Sequence, residues 1–109
     1  MKIYGIKSCG SVKKAFVYFD SKNVSYEFID LKKVALTNED LTKWLKYIPL
    51  NKLLNRQGTT YKKLNLKDLN LNDEDIKTWL LKEQMLFKRP IIESSKTITC
   101  GVEDFDKHL

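Results

Sequence analysis

The sequence predicts an α/β domain in which a helical segment interrupts a mixed sheet. Three observations predict it: strand, helix and strand periodicities follow one another at the start, apolar residues recur at helical spacing through the middle, and two short apolar runs flank a polar turn near the end. The 109 residues support one compact core, and 42% hydrophobic and 11% aromatic residues are ordinary for a globular chain.

Lys2-Ile3-Tyr4-Gly5-Ile6 carries residues that favour a strand, and Lys7-Ser8-Cys9-Gly10-Ser11 is rich in turn formers. Val12, Ala15, Phe16 and Phe19 then recur at i, i+3, i+4 and i+7, with Lys13, Lys14 and Asp20 off that face. This pattern predicts a helix with Ser11 as its N-cap and Ser21-Lys22-Asn23 as its end. Val24, Tyr26 and Phe28 alternate with Ser25, Glu27 and Ile29 into Asp30, the period of a strand. The unit is long enough for a right-handed parallel crossover.

Thr37-Asn38-Glu39-Asp40 is a capping-box-like start to a helix carrying Leu41, Trp44, Leu45 and Ile48, which Pro49 disrupts. Leu50, Leu53 and Leu54 predict another short helix, Asn55–Thr60 a polar loop, and Tyr61 to Leu64 a helical turn. Asn72-Asp73-Glu74-Asp75 caps a helix with Ile76, Trp79 and Leu80. After Phe87-Lys88-Arg89-Pro90, Ile91-Ile92 and Thr97-Ile98-Thr99 predict two strands joined by Glu93-Ser94-Ser95-Lys96, and residues 103–109 a closing helix. The expected division is a sheet core over about 1–33 and 87–109, with a helical insertion over about 36–86.

No apolar run approaches the roughly 18–20 residues of a membrane span, and the N-terminus lacks a signal's apolar stretch. A cytoplasmic protein without a membrane partner is expected. The formal charge of +6 is almost wholly lysine, with Arg56 and Arg89 the two arginines. Lysines spaced singly and in pairs, with no aromatic platform, argue against direct DNA binding. Cys9 and Cys100 lie 91 positions apart beside a single histidine, His108. That set is too sparse for a disulfide scaffold or a tetrahedral zinc site, so no metal is expected.

Tyr4-Gly5-Ile6-Lys7-Ser8-Cys9, Lys13-Lys14-Ala15, the run from Leu53 to Leu64 and Lys88-Arg89-Pro90-Ile91-Ile92 together resemble the arsenate-reductase-like family. That family includes glutaredoxin-coupled arsenate reductases, YffB-type proteins and the Spx transcriptional regulators. The resemblance spans nearly the whole chain. It implies a thioredoxin-like mixed sheet, with a βαβ opening and a ββα ending around the inserted helical subdomain.

A thiolate is the attacking form of cysteine, so a working Cys9 needs a lowered pKa. Its place ahead of a helix supplies free N–H groups and the positive end of the dipole. Lys7, Lys13 and Lys14 add positive charge nearby, and the small Gly10 and Ser11 leave the sulfur accessible. The competing reading is a buried cysteine at a strand end; the resemblance favours the reactive thiol. Thioredoxin-type exchange uses a second cysteine three positions on, where this chain has Val12. A single-thiol mechanism follows, resolved by glutathione or another external thiol, with Cys100 the weaker candidate resolver because its strand position suits a packed residue.

The resemblance places the Arg89-Pro90 pair beside Cys9 with the proline cis. A guanidinium there would hold an oxyanion or carboxylate by two parallel hydrogen bonds. Arg56 is offset by one position from the arginine of YffB-like members, where this chain has Gln57. Arsenate reductases carry a third arginine after the last-strand cysteine, and here that position is Gly101.

The expected function is therefore a thiol oxidoreductase with Cys9 and Arg89 catalytic, and Lys7, Gly10, Ser11, Arg56 and Pro90 binding a small thiol or anionic substrate. No bound cofactor is expected, with glutathione or glutaredoxin as external reductant. The alternatives are arsenate reductase proper and a Spx-like regulator that binds the RNA polymerase α subunit.

Overall fold

The computed structural model describes residues 1–109. The chain forms two compact units, Met1–Val34 with Arg89–Leu109, and Ala35–Lys88.

In the first unit strand β1 (Lys2–Gly5) is followed by helix α1 (Gly10–Ser21) and strand β2 (Glu27–Asp30), and the chain returns as β3 (Ile91–Glu93), β4 (Ile98–Cys100) and a 3-10 turn over Phe105–His108. The sheet order is β2-β1-β3-β4. β2 runs parallel to β1 with Ile3 opposite Phe28, and β3 runs antiparallel on the other side with Ile3 opposite Ile92. β4 closes the sheet antiparallel to β3, pairing Ile91 with Cys100. This is the mixed sheet the sequence predicts.

Ile3, Ala15, Phe19, Ile92 and Phe105 form the core of this unit. Complete burial of a side chain such as Phe19 is worth roughly 1.5–3 kcal/mol. Phe16, half-buried, stacks on Tyr26 at 5.6 Å and meets Phe28 edge-on at 5.2 Å. Gly5 lies where α1 approaches the sheet: a Cβ there would run into Val12 Cγ2.

Strand boundaries differ from expectation in β2 and in the β3–β4 hairpin. Val24 donates its N–H to the Phe19 carbonyl at 3.0 Å and so belongs to the helix exit, and β2 begins only at Glu27. Asp30 ends β2, its carboxylate accepting the Lys32 N–H at 2.9 Å to start a turn. Thr97 lies in the hairpin, where Ser94 N–H reaches its carbonyl at 3.0 Å, while Glu93 and Cys100 are strand residues.

The closing turn is fastened to that hairpin by His108. Its Nδ1 is 2.7 Å from Ser94 Oγ and its Nε2 is 2.7 Å from Thr99 Oγ1, and its ring meets Phe19 edge-on at 6.2 Å. His108 is buried.

The second unit contains α2 (Asn38–Leu45), α3 (Leu50–Leu53), α4 (Thr59–Lys63) and α5 (Asp73–Lys82), with 3-10 turns over Leu66–Leu69 and Gln84–Leu86. Thr37 and Asp40 close a reciprocal capping box at the start of α2, and Asn72 and Asp75 close another at α5. Each box satisfies two N–H groups that the first helical turn leaves unpaired. Pro49 is the N-cap of α3, and α2 stops at Leu45, short of the predicted Ile48. Gly58 starts α4, so Thr59 and Thr60 are helical, not loop.

Trp44 is fully buried, edge-on to Phe87 at 5.5 Å, and Leu41, Leu53, Leu66, Leu80 and Leu86 are likewise buried in this unit. The Lys88 N–H bonds the Leu53 carbonyl at 2.7 Å and the Asn55 N–H bonds that of Leu86 at 2.8 Å, joining α3 to the end of the unit. No helix of the chain is long and apolar enough to cross a membrane.

Candidate functional site

Strand β1 delivers the chain into a tight turn in which the Cys9 N–H bonds the Ile6 carbonyl at 3.2 Å. Cys9 itself is extended, with φ −78° and ψ 124°, and its carbonyl accepts the Lys13 N–H at 3.1 Å. It is therefore the N-cap of α1. The expectation that Ser11 caps this helix is corrected: Gly10 is already helical, and Ser11 is the second helical residue.

That two-residue difference defines the site. An N-cap side chain faces the amides of the second and third helical residues, which here are Ser11 and Val12, so sulfur occupies the place a serine or aspartate oxygen normally takes. The Cys9 side chain makes no capping hydrogen bond. Negative charge on the sulfur changes the balance. Partial burial raises the Cys9 pKa, but the amides of Val12 and Ser11 and the Arg89 guanidinium together outweigh it and bring the pKa below the ordinary thiol value. The first turn of α1 contains no acidic side chain to oppose them.

Arg89 approaches from the other end of the unit's sequence. It precedes Pro90 across a cis peptide bond, the isomer the resemblance implies, and Pro90 is buried. The Pro90 carbonyl accepts the Gly101 N–H at 2.9 Å, which extends the β3–β4 pairing by one step and fixes the chain next to Arg89. Gly101 is buried with φ 80°, in the left-handed region where any side chain is strained.

Thus Cys9, Ser11 and Arg89 meet at one place, with Gly10 and Pro90 beside them in the chain. An added Cβ on Gly10 would touch nothing within 4 Å, so open space borders the first turn. Lys7, Lys13 and Lys14 are exposed, and none is among the groups that lower the Cys9 pKa. Arg56 belongs to the helical unit, where it is exposed and its Nη1 reaches the Asn51 carbonyl at 3.5 Å. Neither cysteine is in a disulfide, and Cys100 is buried in β4. No cluster of three or more His, Cys, Asp or Glu side chains forms a metal-binding group.

Sequence reasoning missed the Val12 amide. Its signal was the misplaced cap: moving the N-cap from Ser11 to Cys9 makes Val12 the third helical residue.

Residues 4–106 match the ArsC family. The chain belongs to the ArsC family. A solved structure of a YFFB protein is 33% identical and superposes with a TM-score of 0.83, covering 92% of this chain and 89% of that one. A solution structure of an arsenate reductase (ArsC) related protein from Brucella melitensis is 36% identical with a TM-score of 0.75, covering 92% and 84%. An uncharacterized protein of Haemophilus influenzae is 32% identical over 91 residues, 83% of this chain and 80% of its own length. The four-stranded sheet with its helices is accordingly the thioredoxin-like fold of ArsC proteins. The ArsC family includes arsenate reductases.

Proposed function

We propose that this ArsC protein is a single-thiol oxidoreductase in which Cys9 is the nucleophile and an external thiol, glutathione or a glutaredoxin, supplies the electrons. The observation that carries the reading is the place of Cys9 at the N-cap of α1, where the first-turn amides of Val12 and Ser11 and the Arg89 guanidinium lower its pKa against the effect of partial burial. Helix start, cation and accessible sulfur are the arrangement that makes a cysteine reactive.

The Cys9 thiolate attacks one sulfur of a glutathione-containing disulfide, forming a Cys9–glutathione disulfide and releasing the other sulfur as a thiolate. A second glutathione thiolate then attacks the glutathione sulfur of that mixed disulfide. Cys9 leaves as thiolate, and oxidised glutathione carries away the pair of sulfurs. Val12 stands where a second cysteine of a Cys-x-x-Cys pair would stand, so resolution comes from outside the chain. Arg89 serves two roles in this scheme: it stabilises the departing thiolate and offers a forked donor to a carboxylate of the incoming thiol. Lys7, exposed in the turn before Cys9, adds attraction for an anionic substrate. Ser11 contributes its amide, and Gly10 keeps the approach open.

The test is alkylation of Cys9 against pH, with mass spectrometry after exposure to oxidised glutathione. Reaction well below the pH of an ordinary thiol and a single glutathione adduct on Cys9 are expected. An ordinary thiol titration without an adduct overturns the reading.

Arsenate reduction is the second reading, supported by the description of the Brucella melitensis relative. Against it stands Gly101, whose left-handed backbone disfavours a further arginine at that position. Arsenate-dependent oxidation of glutathione that disappears in Cys9→Ser would establish it.

A further inference from the structure

Charge in the helical unit is segregated in a way that lysine spacing alone conceals. Residues 41–67 hold seven cations and no carboxylate. Five of the unit's seven acidic residues gather at helix starts, Glu39 and Asp40 in the first turn of α2 and Asp73, Glu74 and Asp75 in that of α5; the others are Asp68 and Glu83. There Asp40 and Asp75 are engaged in the capping boxes.

The basic stretch lines two adjoining grooves. One, of about 560 Å³, is bordered by Arg56, Lys62 and Lys67 together with the Tyr61 ring. The other, of about 420 Å³, is bordered by Lys52, Arg56 and Lys88. Arg56 and Gln57 line both, so the grooves adjoin at these two residues. Five cations face this surface against one carboxylate, Asp68. The single polar contact of Arg56, at 3.5 Å, lies at the outer limit of a hydrogen bond, so little of its fork is engaged.

We propose that these adjoining grooves dock an extended acidic segment of a partner protein, with carboxylates along the lysines and one held by the Arg56 fork. Lysine ammonium groups are mobile point charges, which select negative charge density along a chain more than one rigid oxyanion shape. The open form of both grooves suits a peptide better than a small ligand, which binds where it is enclosed. A single-stranded nucleic acid would need aromatic faces on which bases stack. Tyr61 is the only ring lining the grooves, since Trp44 is buried against Phe87 and Trp79 lies under Lys82 Nζ at 5.1 Å. Binding at this surface requires no chemistry at Cys9.

Fluorescence anisotropy of a labelled oligoglutamate peptide, titrated with the full chain at low salt, tests the proposal. Saturable binding is expected. Lys62→Glu with Lys67→Glu should weaken it by about tenfold or more, while Lys32→Glu with Lys33→Glu, exposed residues outside the helical unit, should change it by less than about twofold. Circular dichroism checks that both pairs fold, and the milder Lys62→Gln with Lys67→Gln replaces the first pair if it does not. Equal weakening by both pairs would mean that net charge alone binds the peptide and would overturn the proposal. So would absence of binding, or tighter binding of an oligothymidylate of matched charge.

Discussion

The close approach of α1 to β1 can be tested by a double-mutant cycle at Gly5 and Val12. In Gly5→Ala the new methyl runs into Val12 Cγ2, and Val12 is completely buried, so neither the helix nor the strand yields without strain. Overpacking of this kind costs about 1–3 kcal/mol, reduced by the roughly 0.4–1 kcal/mol that alanine contributes by restricting the unfolded chain. For 109 residues the unfolding entropy is about 0.23 kcal/mol per kelvin, so a net 2 kcal/mol lowers Tm by about 9 °C. Val12→Ala alone removes two buried methyls at a cost of about 1–3 kcal/mol. In the double variant the clash is gone, because the Cγ2 that caused it is absent. Its loss should therefore fall short of the sum of the singles by about 1–2 kcal/mol. Urea unfolding of all four proteins, with m-values compared, measures this. Additivity within about 0.5 kcal/mol would refute the steric reasoning.

Three further outcomes are expected. Burial lowers the His108 pKa from the ordinary 6.5, with Asp104 opposing, so the folded state takes up a proton less readily than the unfolded chain. Its contribution is intact above 6.5 and is lost as pH falls through that value toward the folded pKa, so the urea midpoint should drop on acidification and drop less in His108→Gln; parallel curves would contradict this. Thr37→Ala and Asn72→Ala should each cost about 1 kcal/mol in chemical denaturation, because each removes the acceptor of a capping box. Arg89→Gln should raise the Cys9 pKa in an ultraviolet thiolate titration and slow alkylation at neutral pH, with Arg89→Lys in between; an unmoved titration would remove Arg89 from the site.

Local signals were readable in the sequence. Thr37 and Asn72 cap their helices because the partner carboxylates lie three residues on, and Val12, Ala15 and Phe19 bury the face their spacing predicts. Ser11 misled because serine is the commoner cap, and no local rule weighs sulfur against it. The 3-10 turns over Leu66–Leu69 and Gln84–Leu86 have no periodicity to detect, and the left-handed Asn65 and Asn70 flank the first of them. His108 meets hydroxyls nine and fourteen residues away, a pairing only the closed hairpin creates. Cys9 and Arg89 are eighty positions apart, and the resemblance, not spacing, suggested that they meet. Arg56 looked like a candidate for the thiol site; its visible surroundings are the basic grooves of the helical unit.

Strand β2 pairs on one side only, with β1, and so leaves a row of backbone groups open at the edge of the sheet. Such an edge is a template on which a second copy could add a strand and begin an aggregate. The strand is four residues long and begins and ends with a carboxylate, Glu27 and Asp30. A copy laid antiparallel along this edge with its strand fully overlapped would bring Glu27 against Asp30 at both ends, like charges directly opposite. Asp30 also turns the chain away through its bond to the Lys32 N–H, so the edge cannot lengthen. The two residues that bound the strand thus also disfavour the addition of a second copy at this edge.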